Sequence, residues 1–92
     1  MYSTPFKAGH LTGSILTFEG IGDTLPVHMH DEAGNHITLI MNGSFKCIGN
    51  PHIEGTIMTV GQVIIWPPNE PHGFIALEPN SRMLQVATKP DL

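Results

Sequence analysis

The 92-residue chain has almost no cysteine. Cys47 stands alone, so no intrachain disulfide can form, and a reducing compartment, the cytoplasm, is expected. Charge is also scarce: Asp, Glu, Lys and Arg make up 13% of the residues, about half of the ~25% usual in soluble domains. The formal net charge is −4, and the only basic residues are Lys7, Lys46, Arg82 and Lys89. They are scattered, so no basic stripe exists to neutralise phosphates, and nucleic acid is not expected as a partner. Long apolar runs are missing too. None approaches the ~20 residues of a membrane span, and MYSTPFKAGHLTGSIL at the start lacks a long apolar stretch behind a basic beginning. Neither a membrane partner nor a signal peptide is therefore expected. With apolar residues at an ordinary 40%, the few charges are too few to cover a lone chain, and a homodimer is expected.

Glycine and proline, by contrast, are frequent. Ten glycines and eight prolines cut the chain into short runs rich in Ile, Val, Thr and Phe. Those runs are Ser14–Phe18, Leu25–His28, His36–Met41, Phe45–Ile48, Thr56–Val60, Val63–Ile65, Gly73–Leu77 and Met83–Ala87. None carries a useful helical period. Short strands at regular spacing predict an all-β sandwich or barrel, and the length allows one domain, residues 1–92. Asn42-Gly43 predicts a two-residue hairpin turn, because both residue types tolerate positive φ. Residues 1–9 and 90–92 are expected to be loose ends, unless the first segment pairs with a partner's sheet. In the run from His36, the set Ile37, Leu39, Met41 and the set His36, Thr38, Ile40 alternate, and both are largely apolar. A strand buried on both faces lies between two layers, and one of these layers is expected to come from a second subunit.

Three of the six histidines fall within nine positions of PVHMHDEAGNHITLIMNG. On a strand, side chains two apart share a face, so His28 and His30 point the same way, roughly 7 Å apart along the backbone. Two imidazoles so placed can converge on one ion at metal–nitrogen distances near ~2.1 Å. His36 begins the next strand after the turn and can lie opposite the pair, and His72 follows the corner Pro67-Pro68-Asn69-Glu70-Pro71. His10 and His52 read as ordinary surface or core histidines.

The spacing of these residues resembles the two motifs of the cupin superfamily, in its minimal single-domain form. The first motif is glycine, five residues, H-x-H, then a glutamate, and six residues on a glycine; here Gly22, His28-Met29-His30, His36 and Gly43 stand in those places. The second is glycine, five residues, P-x-G, two residues, histidine, three residues, asparagine. Here it reads Gly61, Pro67-Pro68-Asn69, His72 and Ala76, after an intermotif gap of 17 residues from Ser44 to Val60. Three departures stand out. His36 replaces the glutamate one residue late, Asn69 replaces a turn glycine, and Ala76 replaces the asparagine. Asn69 is a mild change, since asparagine also accepts left-handed backbone. Glu32 is the alternative carboxylate ligand, but the register fixed by Gly43 favours His36.

The resemblance implies a small jelly-roll β-barrel with a core at about residues 11–88, and His28, His30, His36 and His72 facing one mouth as ligands of one divalent transition metal. Nitrogen donors suit iron, manganese, nickel, copper or zinc. Four neutral imidazoles leave a divalent ion at its full +2 charge, attractive to carboxylates or enolates. Phe18, Ile40, Phe45, Phe74 and Met83 are wall candidates by type, though residues of these types are more often plain core. Trp66 is expected to pack near the rim, and Thr38, Gln62, Glu70 and Gln85 are candidates to orient imidazoles. The implied function is a metal-dependent enzyme of oxygenase, isomerase or lyase type, acting on a small organic acid, diketone or sugar derivative. The alternatives are a non-catalytic module that binds metal and a small ligand, and a purely structural barrel.

Overall fold

The short β-branched and aromatic runs form strands, and glycine and proline separate them. The computed structural model describes residues 1–9, 11–29 and 36–87. Among these there are nine strands and no helix: β1 Tyr2–Ala8, β2 Leu11–Phe18, β3 Thr24–His28, β4 His36–Asn42, β5 Ser44–Ile48, β6 Ile57–Thr59, β7 Val63–Trp66, β8 His72–Ala76 and β9 Ser81–Ala87. Hence no described helix is long and apolar enough to cross a membrane. The strands make two antiparallel sheets, a five-stranded one ordered β1-β2-β9-β4-β7 and a four-stranded one ordered β3-β8-β5-β6. From β3 onward the chain crosses repeatedly between the sheets, the winding of a jelly roll.

Between the sheets, alternation puts one side chain in two into the core. Phe18, Phe45, Phe74, Ala76 and Met83 are fully buried there, with Ile40 and Cys47 at 1% exposure. The rings make edge contacts in series: Phe18 with Phe45 at 4.8 Å between centroids, Phe45 with Phe74 at 6.1 Å, and Phe74 with Trp66 at 6.2 Å. This aromatic run ties one end of the sandwich to the other, where the histidines stand. The five candidate wall residues are therefore the core itself.

Two expectations need correction. The first segment is not a loose end: Tyr2–Ala8 pairs with β2 at seven positions, Tyr2 to Thr17 through Ala8 to Leu11. Glycine at 13 admits the ring of Phe6, whose tip lies 2.8 Å from where a β-carbon would stand, so one aromatic side chain clamps the ladder. Asn42-Gly43 is likewise no hairpin, because β4 and β5 lie in different sheets. Only Gly43 has positive φ, 74°. Ser81 fills the place its side chain would need, so Gly43 makes the close corner at which the chain changes sheet. The expectation for β4 holds on one face. Thr38 and Ile40 are buried, while Ile37 and Leu39 on the other face are half-buried and Met41 is 40% exposed.

Candidate metal centre

His28 closes β3 and His72 opens β8, and the two are direct cross-strand partners. Their ring centroids lie 4.5 Å apart, with the planes at 62°. The bulge between Leu25 and His28 in β3 turns this end of the strand. Each ring is held in the same way. His28 Nδ1 lies 2.8 Å from the carbonyl oxygen of Pro26, and His72 Nδ1 lies 2.9 Å from that of Glu70. A carbonyl only accepts, so each Nδ1 carries a proton, and in the neutral ring Nε2 is then the nitrogen with the lone pair. That is the tautomer an imidazole needs to ligate through Nε2, with a backbone oxygen fixing its orientation.

His72 is 1% exposed and has a second support. The indole of Trp66 stacks on its ring at 4.4 Å, with only 13° between the planes. Trp66 is itself fixed: Nε1 donates to Thr38 Oγ1 at 3.0 Å, and that hydroxyl donates to Gln85 Oε1 at 2.9 Å. Gln85 Nε2 lies 3.0 Å from the sulfur of Met83. These side chains occupy neighbouring inward-facing positions of β7, β4 and β9. Thr38 and Gln85 thus bear on the site through Trp66. Glu70 supports His72 through its backbone, while its carboxylate accepts a bond from Asn50. Gln62 serves the turn before β7, its side-chain oxygen accepting from the Thr59 amide at 2.7 Å. The proline corner is shaped as expected of its residues, with Asn69 at φ 66°.

His36 stands on the opposite sheet. It pairs with Trp66 and with Ala87, sharing the inward face of β4 with Thr38 and Ile40. It lines a cleft of about 320 Å³ with Thr12, Ser14, Gln85 and Ala87 at the open end of the sandwich. The structure therefore brings His28 and His72 into contact and puts His36 at the same end, across Trp66. His30 and Glu32 lie outside the described residues. Among the described residues no cluster of three or more His, Cys, Asp or Glu is close enough to hold a metal ion. His52 lines a second cleft of about 530 Å³ with Ile53, Met58 and Ile64, which reaches Trp66, Pro67 and Glu70.

No family model matches the chain, and no curated protein matches it. Solved structures do. KdgF from Halomonas sp. superposes with a TM-score of 0.79 at 21% identity, over 97% of this chain and 79% of that one. An RmlC-like cupin protein from Desulfovibrio desulfuricans gives 0.78 at 22% identity, over 94% and 80% of the two chains. A cupin superfamily protein from Desulfitobacterium hafniense gives 0.77 at 16%, over 97% and 77%. The fold is the cupin fold. Identities this low carry the architecture alone, because one cupin-like scaffold hosts many chemistries.

Proposed function

We propose that this single-domain cupin-fold protein binds one divalent transition metal ion at the open end of its barrel and uses it as an enzyme acting on a small organic acid, diketone or sugar derivative. The observation that carries the reading is the matched pair His28 and His72. Two imidazoles in contact, each with Nδ1 given to a backbone carbonyl, form a donor set suited to iron, manganese, nickel, copper or zinc and poorly suited to calcium or magnesium. His36, on the facing sheet, and His30 are the further ligands of this proposal.

Bound there, a metal held by neutral imidazoles would supply a Lewis acid of full double charge, which draws carboxylates and enolates. The chain's own part is positional. The Pro26 and Glu70 carbonyls set the two tautomers, and the Trp66 indole covers one face of His72. Trp66, stacked on His72, and Phe74, in edge contact with Trp66, are both buried and make the surroundings of His72 apolar.

The test is elemental analysis of protein purified without added metal, followed by titration with each of the five metals. Trp66 is the only tryptophan and lies against His72, so its emission reports binding. About one equivalent per chain is expected, abolished in His28→Ala and His72→Ala and retained in His52→Ala. Equal metal content in His72→Ala and His52→Ala would show that these imidazoles are the wrong ones. Turnover of a panel of chelating acids, diketones and sugar acids by the loaded protein then separates an enzyme from a binding module. A loaded protein inert to the whole panel would favour the module.

A further inference from the structure

The two sheets part along one side of the sandwich. β7 is the last strand of the five-stranded sheet, and β6 is the last of the four-stranded one. The cleft of about 530 Å³ opens between them, a volume within the roughly 300–1,000 Å³ of small-molecule sites. Met58 of β6, Ile64 and Trp66 of β7, and Ile53 of the loop before β6 make its apolar wall. Met58 and Trp66 are buried, and Ile53 and Ile64 pack against the core, so this wall continues the core outward. The loop is tied down by its own backbone: the Cys47 amide donates to the Thr56 carbonyl at 2.9 Å, Gly55 to Cys47 at 2.9 Å and Ile53 to Asn50 at 3.1 Å. The cleft is therefore built before any ligand arrives.

Its polar end is organised by Asn50, which is 4% exposed. Asn50 Nδ2 donates to Glu70 Oε2 at 3.1 Å and to the Pro71 carbonyl at 3.0 Å, and Oδ1 accepts from the His52 amide at 2.9 Å. Both protons of its amide are thus spent. Glu70 is half-buried and, among the described residues lining the cleft, is the only one with a formal charge. A carboxylate has about four acceptor positions, so Oε2 and Oε1 together can take more donors than Asn50 supplies. Fixed beside an apolar wall, its charge acts at a lower effective dielectric than in water.

We infer that this cleft is a second ligand site, and that it takes an organic ammonium ion: a protonated amine on the Glu70 carboxylate, with an apolar body against Ile53, Met58 and Ile64. Charge complementarity selects the cation. No lysine or arginine lines the cleft, one carboxylate does, and the chain carries −4 overall. An organic acid would meet an uncompensated like charge there. Trp66 lines this cleft and also stacks on His72, so occupancy is visible in its emission. The donor sets differ, carboxylate here and imidazoles there, so the inference is independent of the metal reading.

Titration of the full chain with 2-phenylethylammonium, in the presence of a chelator, tests this by calorimetry and Trp66 emission. The neutral 2-phenylethanol and the anionic 3-phenylpropanoate serve as matched probes. The amine is expected to bind with a dissociation constant of about 1 mM or tighter for a molecule of its size. The alcohol should bind at least roughly tenfold more weakly, for want of a charge-assisted bond, and the acid more weakly still. Glu70→Gln keeps an oxygen for Asn50 and the backbone carbonyl under His72, and should weaken the amine by roughly tenfold or more while sparing the alcohol. His28→Ala should leave amine binding unchanged. Should Glu70→Gln disturb folding, the ranking of the three probes on the wild type still decides. No binding of the amine at about ten times that concentration overturns the inference. So does an alcohol or acid that binds as tightly as the amine, or amine binding that survives Glu70→Gln intact. Loss of amine binding in His28→Ala would assign the probe to the imidazole end and overturn it too.

Discussion

Replacing Thr38 with valine exchanges one hydroxyl for one methyl at a fully buried position. The hydroxyl accepts from Trp66 Nε1 at 3.0 Å and donates to Gln85 Oε1 at 2.9 Å. Gln85 is half-buried and can turn towards water, so its loss is small. The indole N–H sits on a side chain only 3% exposed and has no such recourse. Stranding it costs about 1–3 kcal/mol, against which the extra methyl returns about 0.8 kcal/mol of apolar burial. A double-mutant cycle isolates the first of these. With Trp66→Phe in the background there is no N–H to strand, so Thr38→Val should cost about 1–3 kcal/mol less than it does in the wild type. For a domain of this size, each kcal/mol moves the melting temperature by roughly 4–8 °C, so thermal or urea denaturation of the four proteins resolves the coupling. The sole tryptophan adds a second readout: its emission should shift to the blue in Thr38→Val, where the N–H loses its acceptor in a dry site, and stay in place in Thr38→Ser. A coupling below ~0.5 kcal/mol, the range in which independent sites add, would refute the proposition that Thr38 holds Trp66 and, through it, the ring of His72.

Cys47 gives a pH prediction. Burial, with Glu54 adding to it, pushes the thiol from its ordinary value near 9.0 up to about 11. Between these values the unfolded chain has lost the proton and the folded one keeps it, so stability should be fully present below pH 9 and fall as pH rises towards 11. Cys47→Ser should flatten that decline in a pH series of melts, and the wild-type thiol should resist a thiol reagent at neutral pH until the protein unfolds. Gly43→Ala should cost about 1–2 kcal/mol for left-handed backbone and more for displacing Ser81, whereas Gly55→Ala, at φ 80° with open space around it, should bear only the first cost; equal urea midpoints would discount the Ser81 contact. His36→Glu should retain metal at the proposed centre while changing the preference among the five metals, because a carboxylate lowers the charge of the site by one; unchanged titration curves for all five would remove His36 from the ligand set.

The strands were legible because their signal is local. Runs of β-branched and aromatic residues between glycine and proline form β3 to β9 nearly where the pattern puts them. Two elements escaped for the same physical reason: their determinants are distant in sequence. Tyr2–Ala8 reads as a polar tail with one proline, and its strand character comes from the β2 ladder and from Phe6 meeting Gly13. Asn42-Gly43 reads as a hairpin turn, yet the partner that fixes Gly43 is Ser81, brought there by β9.

The candidate site divides along the same line. His28 and His72 stand 44 positions apart, and only the motif spacing joined them; the β3–β8 pairing now puts them in contact. Their backbone supports were hidden, since a carbonyl two residues before a histidine belongs to every sequence and only the turn of the strand end brings it under Nδ1. Trp66 was legible as packing near the rim and nothing more. What it packs on follows from topology. β7 and β8 lie in different sheets, so the corner between them folds the last residue of one strand over the first of the other, indole on imidazole. The five residues of that corner, three of them proline, hold the two strand ends in this relation. Substituting Pro67 or Pro71 should therefore loosen the stack on His72 before it loosens the core. A red shift of Trp66 emission, with the melting temperature unchanged, is the expected sign.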